Sequence, residues 1–147
     1  MALDFHWIVP GVAQGSYPQP LSEAFKHVDT IVFCAEEKQP RATKLPPGKR
    51  VVRFGFDDDI YRPIPAEAGV LFHQMAHQLA REVASGRKVL ITCAMGLNRS
   101  GLMTALTMMY CFRMSPSDVV KLIRARRSKD ALMNPIFERW ILNQRIA

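Results

Sequence analysis

Cys93 and Arg99 stand at the two ends of the stretch CAMGLNR, directly behind the apolar run Val89-Leu90-Ile91 and Thr92. A thiol and a guanidinium at this spacing can share one task if the chain between them curls. A helix N-terminus offers unpaired N–H groups and the positive end of the helix dipole, which together attract an oxyanion. A loop whose successive amides face inward makes a nest for one phosphate. Here that loop is Ala94, Met95, Gly96, Leu97, Asn98 and Arg99. Gly96 permits a backbone turn that a side chain would hinder. Arg99 adds a planar fork for two phosphate oxygens. The same positive field favours loss of a thiol proton, so Cys93 is the candidate nucleophile, placed beneath a bound phosphate for in-line attack. A Cys and an Arg at this spacing are weak evidence alone, and a small buried core thiol is the competing reading. The joint pattern carries the argument: a strand before, a glycine within, and Ser100-Gly101 opening a helix after.

Breaking a phosphomonoester also needs a proton for the departing oxygen, and a carboxylic acid on a loop can supply it. Asp57-Asp58-Asp59 end a strand-like run, 34 to 36 residues ahead of Cys93. Three aspartates in that position also read as a solvated turn or a helix cap.

The elements that must position these groups follow from periodicity and punctuation. Trp7-Ile8-Val9 followed by Pro10-Gly11 predicts a short strand ending in a turn. Pro20 to His27 suits one or two helical turns. Thr30 to Cys34 is a continuous apolar strand, as in the middle of a covered sheet. Lys38 to Lys49, rich in proline and basic residues, is a surface loop, and Val51 to Phe56 is the next strand. Ala68, Phe72, Met75, Leu79 and Val83 recur at helical spacing, and Gly86 ends that helix. Arg87 to Thr92 is a strand, and Arg99 to Arg113, apolar on nearly every face, is a buried helix. Ser115-Pro116 caps a helix running to about Arg127, and a last helix spans about Pro135 to Gln144. Strands alternating with helices, then helices only, define an α/β domain with a mainly parallel sheet.

Composition agrees. With 147 residues, 48% apolar and 22% charged, residues 1–147 are expected to form a single domain with a real core. The formal charge of +7 favours an anionic partner. Three cysteines give neither a disulfide framework nor a zinc spacing, which suits a reduced, cytoplasmic setting. The N-terminal MALDFHWIVPG lacks the pattern of a signal peptide, and Leu102 to Phe112 is too short to span a bilayer. His73 and His77 share a helix face at metal-ligand spacing but lack a third ligand nearby, so they read as surface or edge residues. Lys121 to Lys129 reads as the solvated face of a helix, and Cys111 as packing.

The stretch TCAMGLNRSG resembles the signature loop of the cysteine-dependent protein tyrosine phosphatase superfamily, in particular its compact dual-specificity branch. IVPGVAQGSYPQPLSEAFKHVDTIVFCAEE is similar to that branch's opening strand, turn, helix and following strand. MSPSDVVKLIRARRSKDALMNPIFERWILNQ is similar to its two closing helices. The resemblance implies a central mixed sheet flanked by helices, no metal or organic cofactor, and a phosphocysteine intermediate on Cys93. It also implies that Ser100 hydrogen-bonds the departing sulfur. Aligning RFGFDD with the family's acid strand favours Asp58, with Asp57 and Asp59 as alternatives. FCAEE is similar to a segment of the superfamily whose cysteine forms a protective disulfide with the nucleophile, so Cys34 carries a redox reading beside that of a core thiol.

Two departures stand out. The family usually has histidine before the nucleophile, orienting the loop and holding the thiolate; this chain has Thr92, from which a less activated sulfur is expected. Ala94, Met95, Leu97 and Asn98 carry no charge, which argues against a highly charged inositol head group. The expected activity is hydrolysis of phosphotyrosine, and of phosphoserine or phosphothreonine, on a protein or another phosphomonoester. The alternatives are a non-catalytic phosphate-binding module and a relative acting on RNA 5′-triphosphate ends; a nucleic-acid partner is the less favoured reading of the charge. The sequence sets no oligomeric state.

Overall fold

A computed structural model describes residues 3–41 and 44–146. Five strands, β1 (Phe5–Val9), β2 (Val12–Ser16), β3 (Thr30–Ala35), β4 (Arg50–Phe56) and β5 (Val89–Cys93), form one sheet in the order β1-β2-β5-β3-β4. Only β1 and β2 are antiparallel, so the sheet is mixed but mainly parallel. The helices are α1 (Leu21–Ala24), α2 (Ala66–Ala84), α3 (Arg99–Phe112), α4 (Pro116–Arg126) and α5 (Pro135–Leu142).

The alternation of side chains along each strand divides the interior in two. Val12, Val32, Cys34, Val89, Ile91 and Cys93 face a large core shared with α2 to α5. Ala13, Ile31, Phe33 and Leu90 face a smaller core closed by α1. β5 is buried throughout and central, which is why its sequence is a bare apolar run. α3 is buried from Arg99 to Met109 because it packs between β5 and the remaining helices.

The sequence-predicted elements are present with small boundary shifts, including the Ser115 cap, whose hydroxyl accepts from the Asp118 N–H. One strand was not anticipated. VAQGS forms β2, with Gln14 fully buried in the sheet beside β5. Two glycines' worth of turn signal and a polar residue gave it no strand pattern; its partners on both sides supply one. The chain crosses from β2 over to β3 and later inserts β5 between them. The loop after β5 therefore opens at the point where strand connections diverge, the usual ligand crevice of such sheets.

Candidate active site

Cys93 ends β5 and Arg99 begins α3, so residues 94–98 make the whole connection. Four consecutive carbonyls of this loop are held from outside it. The Ala94 oxygen accepts from the Tyr17 N–H at 3.5 Å, and the Leu97 oxygen from the Leu132 N–H at 3.1 Å. The Met95 oxygen accepts from Arg127 Nη2 at 3.1 Å. The Gly96 oxygen accepts from Arg127 Nε at 3.0 Å and Gln14 Nε2 at 3.1 Å. A trans peptide points its N–H opposite to its C=O. Anchoring these carbonyls outward therefore turns the N–H groups of residues 95 to 98 inward, and none of them donates to a backbone carbonyl among the described residues. Gly96 sits at φ 73°, and a Cβ there would fall 2.3 Å from the Gly15 carbonyl carbon. Glycine is required twice, for the angle and for the space.

Cys93 is buried, with Sγ 3.3 Å from Ser100 Oγ. The Arg99 guanidinium lies against the loop, and Glu37 grips it end-on: Nη1 donates to Oε1 at 2.5 Å and Nη2 to Oε2 at 2.8 Å. The hydrogen bonds from Arg99 hold the Glu37 carboxyl down to about 2. In return Glu37 raises the guanidinium above its ordinary value, against the opposing effect of burial, with the charges of Cys93 and Asp58 adding to the rise. Arg99 Nε is buried and has no acceptor among the described residues. The side-on edge of the fork, Nε with Nη2, is thus the edge left for an oxyanion.

The three aspartates separate by environment. Asp57 is exposed. Asp59 Oδ1 accepts from the Tyr61 N–H at 2.8 Å, forming a local turn, and its Oδ2 lies 3.8 Å from Arg62. Asp58 turns to the loop: Oδ2 accepts from Asn98 Nδ2 at 3.2 Å and Oδ1 from Asn134 Nδ2 at 2.6 Å. Asn134 is a junction that sequence reasoning missed. Its Oδ1 caps α5 by accepting from the Ile136 and Phe137 N–H groups, while its own N–H donates to Asn98 Oδ1.

Cys34 lies one register position beyond the Phe33–Thr92 pair, in the strand beside Cys93. It is fully buried, and burial first, then Cys93, pushes its thiol well up. All three cysteines are free. Cys111 is half-buried, and burial raises its thiol to about 11. Thr92 faces the small core, and its hydroxyl donates to the Val32 carbonyl at 2.7 Å. It ties β5 to β3 and gives the loop no hydrogen bond.

The basic run Lys121 to Lys129 corrects the sequence reading, because it is not simply a solvated face. Arg127 is 8% exposed and holds two loop carbonyls while pairing bidentately with Asp4. Arg124 turns in to the Ala131 and Leu132 carbonyls and to Glu138. Nothing in a single sequence marks these two among their neighbours. His73 likewise is tied rather than free, to the Tyr110 hydroxyl and Gln144 Oε1. Among the described residues, no three His, Cys, Asp or Glu side chains are grouped to hold a metal ion.

A buried thiol beneath inward-facing amides, closed by an arginine at a helix start, defines a cysteine-dependent phosphatase. Residues 64–146 match the model of the dual specificity phosphatase catalytic domain, and the chain belongs to that family. Solved structures share the fold over nearly the whole chain. Human DUSP28 is 17% identical with a TM-score of 0.76, covering 96% of this chain and 92% of its own. Tk-PTP in its active form is 21% identical with a TM-score of 0.76, covering 99% and 100%. The human tyrosine phosphatase-like serine/threonine/tyrosine-interacting protein is 22% identical with a TM-score of 0.74, covering 95% and 94%. No curated protein matches the chain in sequence.

Proposed function

We propose that the chain removes phosphate from phosphotyrosine, and from phosphoserine and phosphothreonine, in proteins through a phosphocysteine on Cys93. One observation carries this reading: four successive outward-held carbonyls turn the N–H groups of residues 95 to 98 inward behind Cys93, and these and Arg99 Nε have no partner among the described residues. A buried donor such as Arg99 Nε is costly without an acceptor, and a tetrahedral oxyanion would satisfy it together with the loop amides.

In this mechanism Cys93 Sγ attacks phosphorus in line while the inward amides and the Nε/Nη2 edge of Arg99 hold the equatorial oxygens. Asp58 protonates the leaving oxygen. The S–P bond of the phosphocysteine is then broken by water, which gives its proton to Asp58. Ser100 Oγ–H donates to the departing sulfur. Asn98 and Asn134 hold Asp58 at the rim of the cradle. The uncharged side chains of Ala94, Met95 and Leu97 suit a peptide better than a polyphosphorylated ring. A reducing, cytoplasmic setting fits the three free thiols.

The test is a substrate panel of phosphotyrosine peptide, phosphothreonine peptide, a phosphoinositide and 5′-triphosphate RNA, with Cys93→Ser as blank. Hydrolysis of the peptides that vanishes in Cys93→Ser is expected. Preference for triphosphate RNA, or phosphate binding with no turnover of any substrate, overturns the proposal.

A further inference from the structure

Gln14 is fully buried in β2, on the sheet face below α3. Its side-chain nitrogen lies 3.1 Å from the Gly96 oxygen and 3.4 Å from Ser100 Oγ. Chemistry fixes the orientation of this amide, since only its NH2 can bond a carbonyl. One proton goes to Gly96 and the other to the Ser100 oxygen. The Gly96 carbonyl also accepts from Arg127 Nε at 3.0 Å, so both of its lone pairs are engaged. This matters to Ser100, because a helical serine commonly donates back to the carbonyl four residues earlier. That carbonyl is Gly96. With the thiol protonated, Cys93 Sγ–H donates to Ser100 Oγ at 3.3 Å. Once the sulfur has lost its proton it can only accept, and with Gly96 saturated and the Ser100 oxygen accepting from Gln14, the hydroxyl proton turns to it. The Oε1 of Gln14 is buried with no partner among the described residues. An unpaired buried oxygen weakens the fold, so stability gives no reason for a glutamine where an apolar residue would fit the strand. Thr92 cannot do this work, since its hydroxyl is on the opposite face and bonded to Val32.

We propose that Gln14 is a positioning residue of the phosphatase reaction: it saturates the Gly96 carbonyl and directs the Ser100 hydroxyl proton onto the Cys93 sulfur, favouring the thiolate. The proposal rests on the phosphatase reading above. It is tested on the full chain with Gln14→Met and Gln14→Leu. The measurements are the pH of half-maximal iodoacetamide alkylation at Cys93, the kinetics on p-nitrophenyl phosphate, and the Tm. The alkylation midpoint is expected to rise by about one pH unit. Below it, kcat falls about tenfold with the thiolate fraction while KM changes less than about twofold. The Tm is unchanged or higher, which a merely structural role would not give. In a Ser100→Ala background, Gln14→Met leaves the midpoint where Ser100→Ala alone puts it. An unmoved midpoint in the single variants, or an equal shift without Ser100, overturns the proposal. If neither variant folds, the wild-type side-chain amide of Gln14, followed by NMR, must titrate in step with Cys93 alkylation, and a flat response overturns it. Expected midpoint shifts in a chain that shows no Cys93-dependent hydrolysis would overturn the phosphatase reading while supporting the Gln14–Ser100–Cys93 relay that favours the thiolate.

Discussion

Arg99 holds negative charge on one edge, end-on with Glu37, and its Nε has no partner among the described residues. The Arg99 side chain is 8% exposed but that of Glu37 is 56% exposed, so solvent screens half of the pair. Glu37→Ala is therefore expected to lose on the order of 1 kcal/mol, below the figure for a wholly buried pair. An oxyanion can take over the vacated edge, so added phosphate should raise the Tm of the variant more than that of the wild type. Thermal melts with and without phosphate check this; equal phosphate shifts would mean that Glu37 does not share the anion's partner. Asp58→Asn is expected to lower kcat about 100-fold or more, as loss of a general acid does. Asp57→Asn and Asp59→Asn should cost less than about threefold, because Asp57 is exposed and Asp59 serves a turn. Kinetics of the three variants decide the assignment, and a large loss at Asp57 or Asp59 with Asp58→Asn unaffected would reverse it.

At the scale of elements, the cradle is made by pieces far apart in the chain. β2 supplies Gln14 and the close backbone of Gly15, α4 ends in Arg127, and the turn before α5 supplies Leu132 and Asn134. Asn134 couples two jobs, capping α5 and holding Asp58. Asn134→Ala should cost about 1–2 kcal/mol as a lost cap and also slow catalysis. Ser115→Ala, which removes the α4 cap, should cost about 1 kcal/mol and leave kcat unchanged. Denaturation curves and kinetics on both variants separate cap from coupling. Equal kcat in the two would show that Asn134 only caps.

For the whole molecule, the carboxylates that matter to stability are those tied to buried arginines. Glu37 titrates at about 2 against an ordinary 4.5, and Asp4 is lowered chiefly by its hydrogen bonds to Arg127. A carboxylate with a depressed folded value stabilises fully above its ordinary value, and that contribution is lost as pH falls through the folded one. For Glu37 the window runs from 4.5 down to about 2. The Tm of the wild type should fall across this window, and more shallowly in Glu37→Gln, which has no charge to lose. Melts at stepwise acid pH check it; parallel curves would mean that the pair contributes nothing to acid stability. At the opposite end of the sheet Glu82 gathers Arg50, Arg87 and Thr30, so part of the basic excess holds strands together rather than facing a ligand.

The local code was sufficient for α2 to α5, whose apolar period, caps and stops lie within each segment, and for the thiol, glycine and arginine of the 93–99 loop. It offered three aspartates ahead of the loop without separating them, since the environments of Asp57, Asp58 and Asp59 differ through Asn98, Asn134, Tyr61 and Arg62. β2 was illegible because a strand buried by its neighbours needs no pattern of its own. Gln14, Glu37 and Arg127 were illegible for a related reason: each acts through a partner about 30 to 80 residues away, and spacing in sequence carries no information on such contacts. The sequence by itself determined the chemistry available at the loop. Tertiary structure decided which way the loop's amides face, because that depends on who holds the carbonyls.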